Sequence, residues 1–381
     1  MCKIVEGPIF EGENLRRLFA VKKFSAFALA VVFMCAIVSP ALATDREFRE
    51  FRLDIVPSLA TAWGMGAEFF TDLVRERSDG RINIRVYPNS QLTAGRQTNA
   101  FMLLRNGVID FAVQSTINYS PQIPELNLFA LPFFMSGQPD RYKALDAITN
   151  GRAGQMIAQA LEDRGVKFLA FGENGFRELT NSRREIRTPE DLHGLRMRVV
   201  GSPIFLDIFR ALGANPLTMV WADTMAALQQ GTIDGQENPI NTFFPVRVFD
   251  FNRYVTNWHY MGDPTLFVAN RRVWNAFDAE DQELIMQAAR EAAAFQIALA
   301  RVGIDQNDGG RHLEHLKSIG RAPEVTDWNA ELERVGMVVT NLTPEELQRF
   351  VDLTAPVKDM WRDRIGAELI AAAEADMAAV R

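Results

Sequence analysis

Strand-like and helix-like segments alternate along the first part of the chain. Apolar and polar residues alternate, as in a half-buried strand, over residues 51–56, 81–87 and 108–113. Between these segments, apolar residues recur at helical spacing over residues 60–77 and 101–105. Because strands that alternate with helices form parallel βαβ units, this pattern predicts an α/β fold with mainly parallel sheets.

A short pattern occurs twice. Residues 104–110 and 228–234 both read Leu-x-x-Gly-x-Ile-Asp, and each glycine stands where a helix C-terminal cap requires a positive φ. We interpret the repeat as two similar halves, in which Gln114 and Asn238 hold corresponding positions at strand ends; a chance match is the alternative. Since ligands of open α/β sheets bind beyond the carboxyl ends of the strands, two such halves predict a cleft between two lobes.

The last third of the chain is helical in pattern. Residues 278–304 keep helical periodicity almost without interruption. At about 1.5 Å per residue, this helix is long enough to run across both lobes. Residues 343–346, Thr-Pro-Glu-Glu, have the spacing of a capping box and predict the start of another helix.

The first 43 residues predict a secretory signal peptide. Basic residues precede an apolar run at 24–38, which is too short for a comfortable membrane span. The sequence Ser-Pro-Ala-Leu-Ala then ends at Ala43 as a small-x-small cleavage site. An uncleaved anchor is the alternative. We expect cleavage near Ala43 and a soluble secreted or periplasmic product.

Charge and cysteine content narrow the function further. The chain carries a net charge of −7, and removal of the basic leader makes the mature chain more acidic still. An acidic exported chain is a poor partner for nucleic acid or for anionic lipid heads. Both cysteines, Cys2 and Cys35, lie in the leader. The mature chain therefore has no disulfide, no thiol nucleophile and no cysteine metal site.

Signals of catalysis are few. His312 and His315 have a spacing that could hold a metal, but their polar helical context favours a solvated face. The chain contains no Gly-x-Ser-x-Gly, phosphate-loop or dinucleotide-binding motif. We therefore predict no catalytic residues, no metal site and no cofactor.

Two arginines are the stronger clue. Arg196 and Arg198 stand two apart in a strand-like segment, so they share one face of that strand. A buried guanidinium without a partner costs several kcal/mol, so Arg198 requires an anion. From the residues alone, that anion is either an internal carboxylate or a ligand carboxylate held by two parallel hydrogen bonds. The internal candidates are Glu178, Asp234 and Glu237.

Residues 176–199 and 212–239 resemble the solute-binding proteins of TRAP transporters, the DctP-like family. The likeness rests on Gly-Leu-Arg-Met-Arg combined with Asp-Gly-Gln-Glu-Asn-Pro, and it extends over most of the mature chain, from residue 87 to residue 274. The resemblance implies a two-lobed periplasmic-binding-protein fold with a ligand cleft between the lobes and a long C-terminal helix crossing both. We expect lobe I to comprise residues 44–174 and 264–303, and lobe II residues 175–263 and 304–381.

The resemblance also implies a ligand site. Arg198 matches the family arginine that pairs with the carboxylate of the solute. Arg177 matches a second arginine that supports this carboxylate or another anionic group. Asn238 matches an amide that bonds to the same carboxylate, although an asparagine before a proline also suits a turn.

Three further positions are implied with less specific roles. Trp221 falls where the family places an aromatic wall, with a core position as the alternative. Gln114 lies where other members contact the solute from the first lobe. His259 matches a position near the cleft. Arg196 matches a variable position, and we expect it to be a solvated surface charge.

The resemblance implies a receptor that captures a small organic acid by closure of two lobes. It delivers the acid to the small and large membrane subunits of an ion-driven permease, and it has no need of a nucleotide or metal. The alternatives are a binding protein of another importer or of a sensor kinase, a periplasmic enzyme acting on a carboxylate, and an exported structural protein. The solute is left open among aromatic or keto acids, dicarboxylates and sugar acids.

Overall fold

A computed structural model describes residues 50–380 of the chain. The predicted signal peptide and its cleavage near Ala43 lie outside the described residues. The strands are β1 Glu50–Asp54, β2 Asn83–Tyr87, β3 Phe111–Ser115, β4 Val166–Asn181, β5 Arg196–Val199, β6 Asn215–Thr218, β7 Gly235–Pro239, β8 Tyr254–Asn257, β9 Gly262–Asn270 and β10 Val338–Asn341.

Helices separate most of the strands. They are α1 Ala62–Arg77, α2 Ala100–Asn106, α3 Thr116–Tyr119, α4 Arg141–Asn150, α5 Arg152–Asp163, α6 Pro203–Ala211, α7 Trp221–Gln229, α8 Arg271–Asn275, α9 Ala279–Arg301, α10 Arg311–Ser318, α11 Trp328–Arg334, α12 Pro344–Ile365 and α13 Ala367–Ala378. Short 3₁₀ turns lie at Gln91–Thr93, Gln97–Asn99, Pro124–Ala130, Pro189–Leu192, Ile240–Thr242 and Val248–Asp250.

The strands that the structure describes form one continuous sheet. The main path runs in the order β2-β1-β3-β9-β4-β7-β5-β6, and β8 joins β4 to β10. β1 pairs parallel with β2 and β3, β5 with β6 and β7, and β8 with β10, whereas every antiparallel pair involves β4 or β9. The predicted α/β class is therefore confirmed, with parallel strands inside each half and antiparallel strands where the halves meet.

The long strand β4 connects the two halves of the sheet. Its first part, up to Phe176, pairs with β9. From Arg177 to Asn181 it pairs with β7 instead, and Leu179 to Asn181 also pair with β8. Arg177 thus stands where the strand passes from one half of the sheet to the other.

The two copies of the Leu-x-x-Gly-x-Ile-Asp pattern have the same structure. The glycine of each has the positive φ expected of a helix cap, 81° at Gly107 and 66° at Gly231. The aspartate of each accepts hydrogen bonds from the backbone N–H and from Nε of an arginine in the neighbouring parallel strand. The pairs are Asp110 with Arg52, and Asp234 with Arg196. The repeat therefore relates β1 and β3 to β5 and β7.

Helix α9 packs on α1 and on β4. Near its C-terminal end, the Gln296 side chain accepts from the N–H of Glu173 and donates to the carbonyl of Trp63. Helix α12 packs on α6 and on the turn Pro124–Ala130. Within residues 50–380, no helix combines the length and the apolarity that a membrane crossing requires.

The environments of two side chains differ from the expectations. His312 is buried rather than solvated, because α10 turns it inward with Leu316, one helical turn later. Arg196 is only partly exposed and is paired with Asp234, so it is a structural ion pair rather than a free surface charge. The boundaries of the two lobes stay a prediction.

Arg301 joins the end of α9 to β4 and α4, and its substitution tests how much these ion pairs stabilise the fold. Its guanidinium is buried and donates to both Glu173 in β4 (2.6 and 2.8 Å) and Asp146 in α4 (2.5 and 2.9 Å). Removing one partner of a buried ion pair costs about 3–5 kcal/mol. We expect Arg301→Met to lower the free energy of unfolding by this amount in denaturant titrations. Arg290→Met, at an exposed position of the same helix, is the control and should change it by less than about 0.5 kcal/mol.

Candidate ligand-binding site

A cavity lies at the carboxyl ends of the strands that the repeat relates. It is narrow, with about 40 Å³ open to the centre of a water molecule. Val56 follows β1, Ser115 ends β3 and Asn118 follows it, Val200 follows β5, and Asn238 lies in β7. This is the position at which open α/β sheets bind ligands.

The structure brings four of the six predicted site residues together around this cavity. Arg177, Arg198, Trp221 and Asn238 line it. Gln114 is fully buried behind the cavity wall, and His259 lines a different cavity beside Asn257 and Trp328. The roles of all six residues stay predictions.

Arg177 is held by internal partners. Its Nε donates to Glu237 at 2.5 Å, its Nη2 donates to a Glu237 oxygen at 2.9 Å, and its Nη1 donates to Asp263 at 2.7 Å. Burial opposes the charge, but the attraction of Glu237 and then of Asp263 outweighs it and raises the pKa of Arg177. This arginine is a wall of the cavity whose charge is already balanced.

Arg198 is buried without a carboxylate. Its side chain is 1% exposed, its Nε donates to the carbonyl of Met219 at 3.0 Å, and its Nη2 has no hydrogen-bond partner among residues 50–380. The guanidinium carbon lies 5.5 Å from the ring centre of Trp221, a cation–π distance. Burial lowers the pKa of Arg198 to about 10; the nearby charge of Glu237 opposes this fall, and the charge of Arg177 adds to it.

Each internal carboxylate considered for Arg198 is engaged elsewhere. Asp234 binds Arg196 and Arg183. Glu237 binds Arg177 and accepts from the hydroxyl of Tyr260. The third candidate, Glu178, accepts from the backbone N–H groups of Trp258 and His259 and from the His259 ring. Among the described residues, none of the three carboxylates forms an ion pair or hydrogen bond with Arg198, although the charge of Glu237 still acts on it.

Gln114 belongs to a chain of side-chain amides that runs behind the cavity. It donates to Asp54 at 2.7 Å, and it accepts from Asn118 at 3.0 Å. Asn118 accepts from Gln97 at 3.0 Å, and Gln97 accepts from the N–H of Trp221 at 2.7 Å, at the start of α7. Every donor in the chain points toward Asp54, so the amides are fixed in one orientation.

Asp54 and Arg198 hold equivalent places in the two halves. Asp54 follows Arg52 by two residues in β1, and Arg198 follows Arg196 by two residues in β5. Both side chains are buried near the carboxyl end of their strand. Burial raises the pKa of Asp54 to about 7, although the hydrogen bond from Gln114 acts in the opposite direction.

Sequence reasoning missed the polar lining residues of the cavity, Thr61, Gln97, Ser115, Asn118, Asn174, Thr242 and Asp263. Gln97 and Asn118 line it as members of the amide chain, and Asp263 lines it as a partner of Arg177. The run of polar residues directly after the apolar strand at 108–113 was a signal for Asn118. Asp263 lies at the start of β9, and the local sequence around it carried no such signal.

The described residues hold no group of three or more His, Cys, Asp or Glu side chains that could bind a metal ion. His312 lies 3.9 Å from Asp305, and burial lowers its pKa to about 4. The cavity is built from ion pairs, amides, hydroxyls and apolar side chains.

Comparisons with known proteins converge on one class. Residues 55–303 match the family described as bacterial extracellular solute-binding protein, family 7 (DctP). The 2,3-diketo-L-gulonate-binding periplasmic protein YiaO of Escherichia coli is 29% identical over 88% of this chain and 98% of its own length. The C4-dicarboxylate-binding periplasmic protein DctP of Rhodobacter capsulatus is 29% identical over 91% of this chain and 95% of its own.

Solved structures give the same result. A TRAP periplasmic solute-binding protein of Ralstonia eutropha H16 with bound (S)-2-acetolactate is 46% identical, with a TM-score of 0.79 over 86% of this chain and 98% of that one. The sugar-acid-binding protein of Advenella mimigardefordensis with galactonate is 26% identical, with a TM-score of 0.73 over 87% and 99%. A TRAP solute-binding protein of Sulfurospirillum deleyianum with succinate is 26% identical, with a TM-score of 0.72 over 86% and 98%.

The two buried arginines should respond oppositely to removal of their charge. Arg177→Met strands Glu237 and Asp263, so we expect the unliganded protein to lose about 3–5 kcal/mol of unfolding free energy. Arg198→Met removes a charge that has no carboxylate partner, so stability should hold within about 1 kcal/mol or rise. Denaturant unfolding of both variants measures this. A loss of stability in Arg198→Met as large as that in Arg177→Met would contradict the assignment.

Asp54 should make stability depend on pH. Its pKa of about 7 in the folded protein exceeds the value of about 3.9 in an unfolded chain. Between these values only the folded state retains the proton, so the unfolding free energy falls as the pH rises. Asp54→Asn removes this pH-dependent loss of stability. The unfolding free energy of the variant minus that of the wild type should therefore be about 2–3 kcal/mol greater at pH 8 than at pH 5. Equal differences at both pH values in denaturant titrations would contradict the burial argument.

Proposed function

The chain belongs to family 7 of the bacterial extracellular solute-binding proteins, and on this basis we propose that it is the solute receptor of a TRAP-type transporter. Its ligand is a small organic acid bound in the cavity at Arg198. The family consists of substrate-binding receptors rather than enzymes. The observation that carries the choice of ligand is the buried Arg198 guanidinium, which meets no carboxylate in the part of the chain described here.

A ligand carboxylate supplies the counter-ion that Arg198 needs. The free Nη2 group can donate to one carboxylate oxygen, and charge-assisted hydrogen bonds of this kind are stronger than neutral ones. Trp221 forms the adjacent wall. The amide nitrogen of Asn238 donates to Gln236 at 2.6 Å, which fixes the amide at the edge of the cavity. These contacts support an acid as the solute, with Arg198 as its principal anchor.

The ligands of solved relatives agree with an acid. The relative that is 46% identical holds (S)-2-acetolactate, and others hold galactonate and succinate. All three are carboxylates, but they differ in length, in hydroxyl content and in charge. The comparisons therefore support a carboxylate group in the solute. The rest of the solute is inferred from the side chains that line this cavity.

Closure of two lobes is the proposed mechanism. Hydrogen bonds from Trp221 to Gln97 (2.7 Å) and between Ser120 and Ser202 (2.8 Å) join residues on opposite sides of the predicted lobe boundary. A solute held by both sides binds the closed arrangement more tightly than the open one and shifts the population toward it. The closed receptor then delivers the acid to the small and large membrane subunits of the permease.

The proposed location is the periplasm, with the mature chain beginning near Thr44. This follows the family and the leader at residues 1–43. Because the permease is driven by an ion gradient, the receptor requires no nucleotide. Its partners are the solute and the membrane subunits.

Arg198→Lys tests the proposal. Lysine keeps the charge and loses the planar fork, so we expect affinity to fall about tenfold to several hundredfold. Acids that raise the melting temperature of the exported protein are chosen first, and calorimetry then compares wild type and variant. Arg196→Lys, in the same strand and outside the cavity, is the matched control and should keep the wild-type affinity. Equal affinity in wild type and Arg198→Lys would refute the anchor.

A further inference from the structure

The charges around the cavity are distributed unevenly between two places. Within the described chain, the charged residues that line it are Arg177, Arg198 and Asp263, and Glu237 lies directly behind Arg177. Arg177 with Glu237 and Asp263 forms a closed group that carries one net negative charge. Arg198 is the separate positive charge. The cavity therefore offers one unpaired cation, beside a group that repels anions.

A ligand with a second carboxylate finds no counter-ion here. The other lining residues that the structure describes are neutral, and the fully buried Asp263 would repel the added charge. Arg177 keeps only one N–H of Nη1 without a described partner, and its charge is already balanced. Burying an unpaired carboxylate is costly.

The amide chain defines what the rest of the ligand presents. Asn118 and Gln97 each use their carbonyl oxygen and one amide hydrogen within the chain, and both residues line the cavity. Since the chain ends on Asp54, neither amide can turn its oxygen toward the ligand without breaking two hydrogen bonds. Each therefore has a second N–H to donate, which suits a keto or hydroxyl oxygen.

Apolar side chains form much of the remaining wall. Val56, Ile117, Val200 and Val246 line the cavity together with Trp63 and Trp221, and Thr61, Ser115, Asn174 and Thr242 add polar atoms. Ser115 and Asn174 donate to Asp263, and the hydroxyls of Thr61 and Thr242 donate to backbone carbonyls. The apolar part of the wall suits a short aliphatic group.

We propose that this cleft selects short-chain monocarboxylates that carry a keto or hydroxyl oxygen, and that it discriminates against dicarboxylates. The inference rests on the proposed function, in which the ligand is an organic acid anchored at Arg198. The discriminating residue is Asp263, because it turns the Arg177 group from neutral to negative. Asn118 and Gln97 recognise the additional oxygen.

Calorimetry with matched acids tests the charge. 2-Hydroxybutanoate and malate share a four-carbon skeleton. Malate carries a second carboxylate where 2-hydroxybutanoate carries its terminal methyl group. We expect 2-hydroxybutanoate to bind at least about 100-fold more tightly than malate, since a charged group left unpaired costs at least this factor. Butanoate, which lacks the hydroxyl, should bind about tenfold more weakly than 2-hydroxybutanoate.

Asp263→Asn tests the cause. The substitution keeps a side chain of the same size and removes the excess negative charge, so the preference for 2-hydroxybutanoate over malate should shrink at least about tenfold. Asp305→Asn is the control, because Asp305 is also buried but lines the other cavity, beside His259. Its preference should equal that of the wild type.

The outcomes separate this inference from the proposed function. Malate or succinate binding as tightly as 2-hydroxybutanoate overturns the monocarboxylate selection and leaves an acid receptor standing. An unchanged preference in Asp263→Asn overturns the role of Asp263. If none of these acids binds or raises the melting temperature, the acid receptor is refuted, and the inference is refuted with it.

Discussion

The ion pair between Arg177 and Glu237 determines the charge of the whole cleft. Glu237 binds Arg177 with both carboxylate oxygens, across the pair of strands β4 and β7. Glu237 is therefore not available to Arg198, which lies one strand further along the sheet and keeps a buried, unpaired charge. If Glu237 turned to Arg198, Arg177 would lose its main counter-ion, so the two arginines cannot exchange roles without a large cost.

The sheet holds this ion pair in place. Arg177 stands at the position where β4 leaves β9 and joins β7, and Asp263 lies at the start of β9. The two longest strands thus deliver an arginine and its second carboxylate to the same point, with 2.7 Å between Nη1 and Oδ2. Residues on paired strands are positioned more rigidly than residues on loops, which preorganises the cavity before any ligand enters.

The internal repeat gives the two halves of the cleft opposite characters. Asp54 and Arg198 occupy equivalent positions, and burial disfavours the charge of each. Asp54 is served by a chain of amides, so its half presents neutral N–H donors to the cavity. Arg198 meets only a carbonyl and an aromatic ring, so its half presents a positive charge. In the proposed function, the two halves, alike in backbone, bind different parts of one ligand.

The sequence alone determined the local elements and the class of the protein. Periodicity predicted β1, α1 and β3, the repeat predicted the positive φ of Gly107 and Gly231, and the motif around Arg198 indicated the family. These features depend on neighbouring residues, so a linear pattern carries them. Only the tertiary structure decided which carboxylate pairs with which arginine and that Gln114 lies behind the cavity wall. Arg177 meets Glu237 and Asp263 across 60 and 86 residues of chain, and Gln114 meets Asp54 across 60. Such partners are chosen by strand pairing and burial, which no local pattern records.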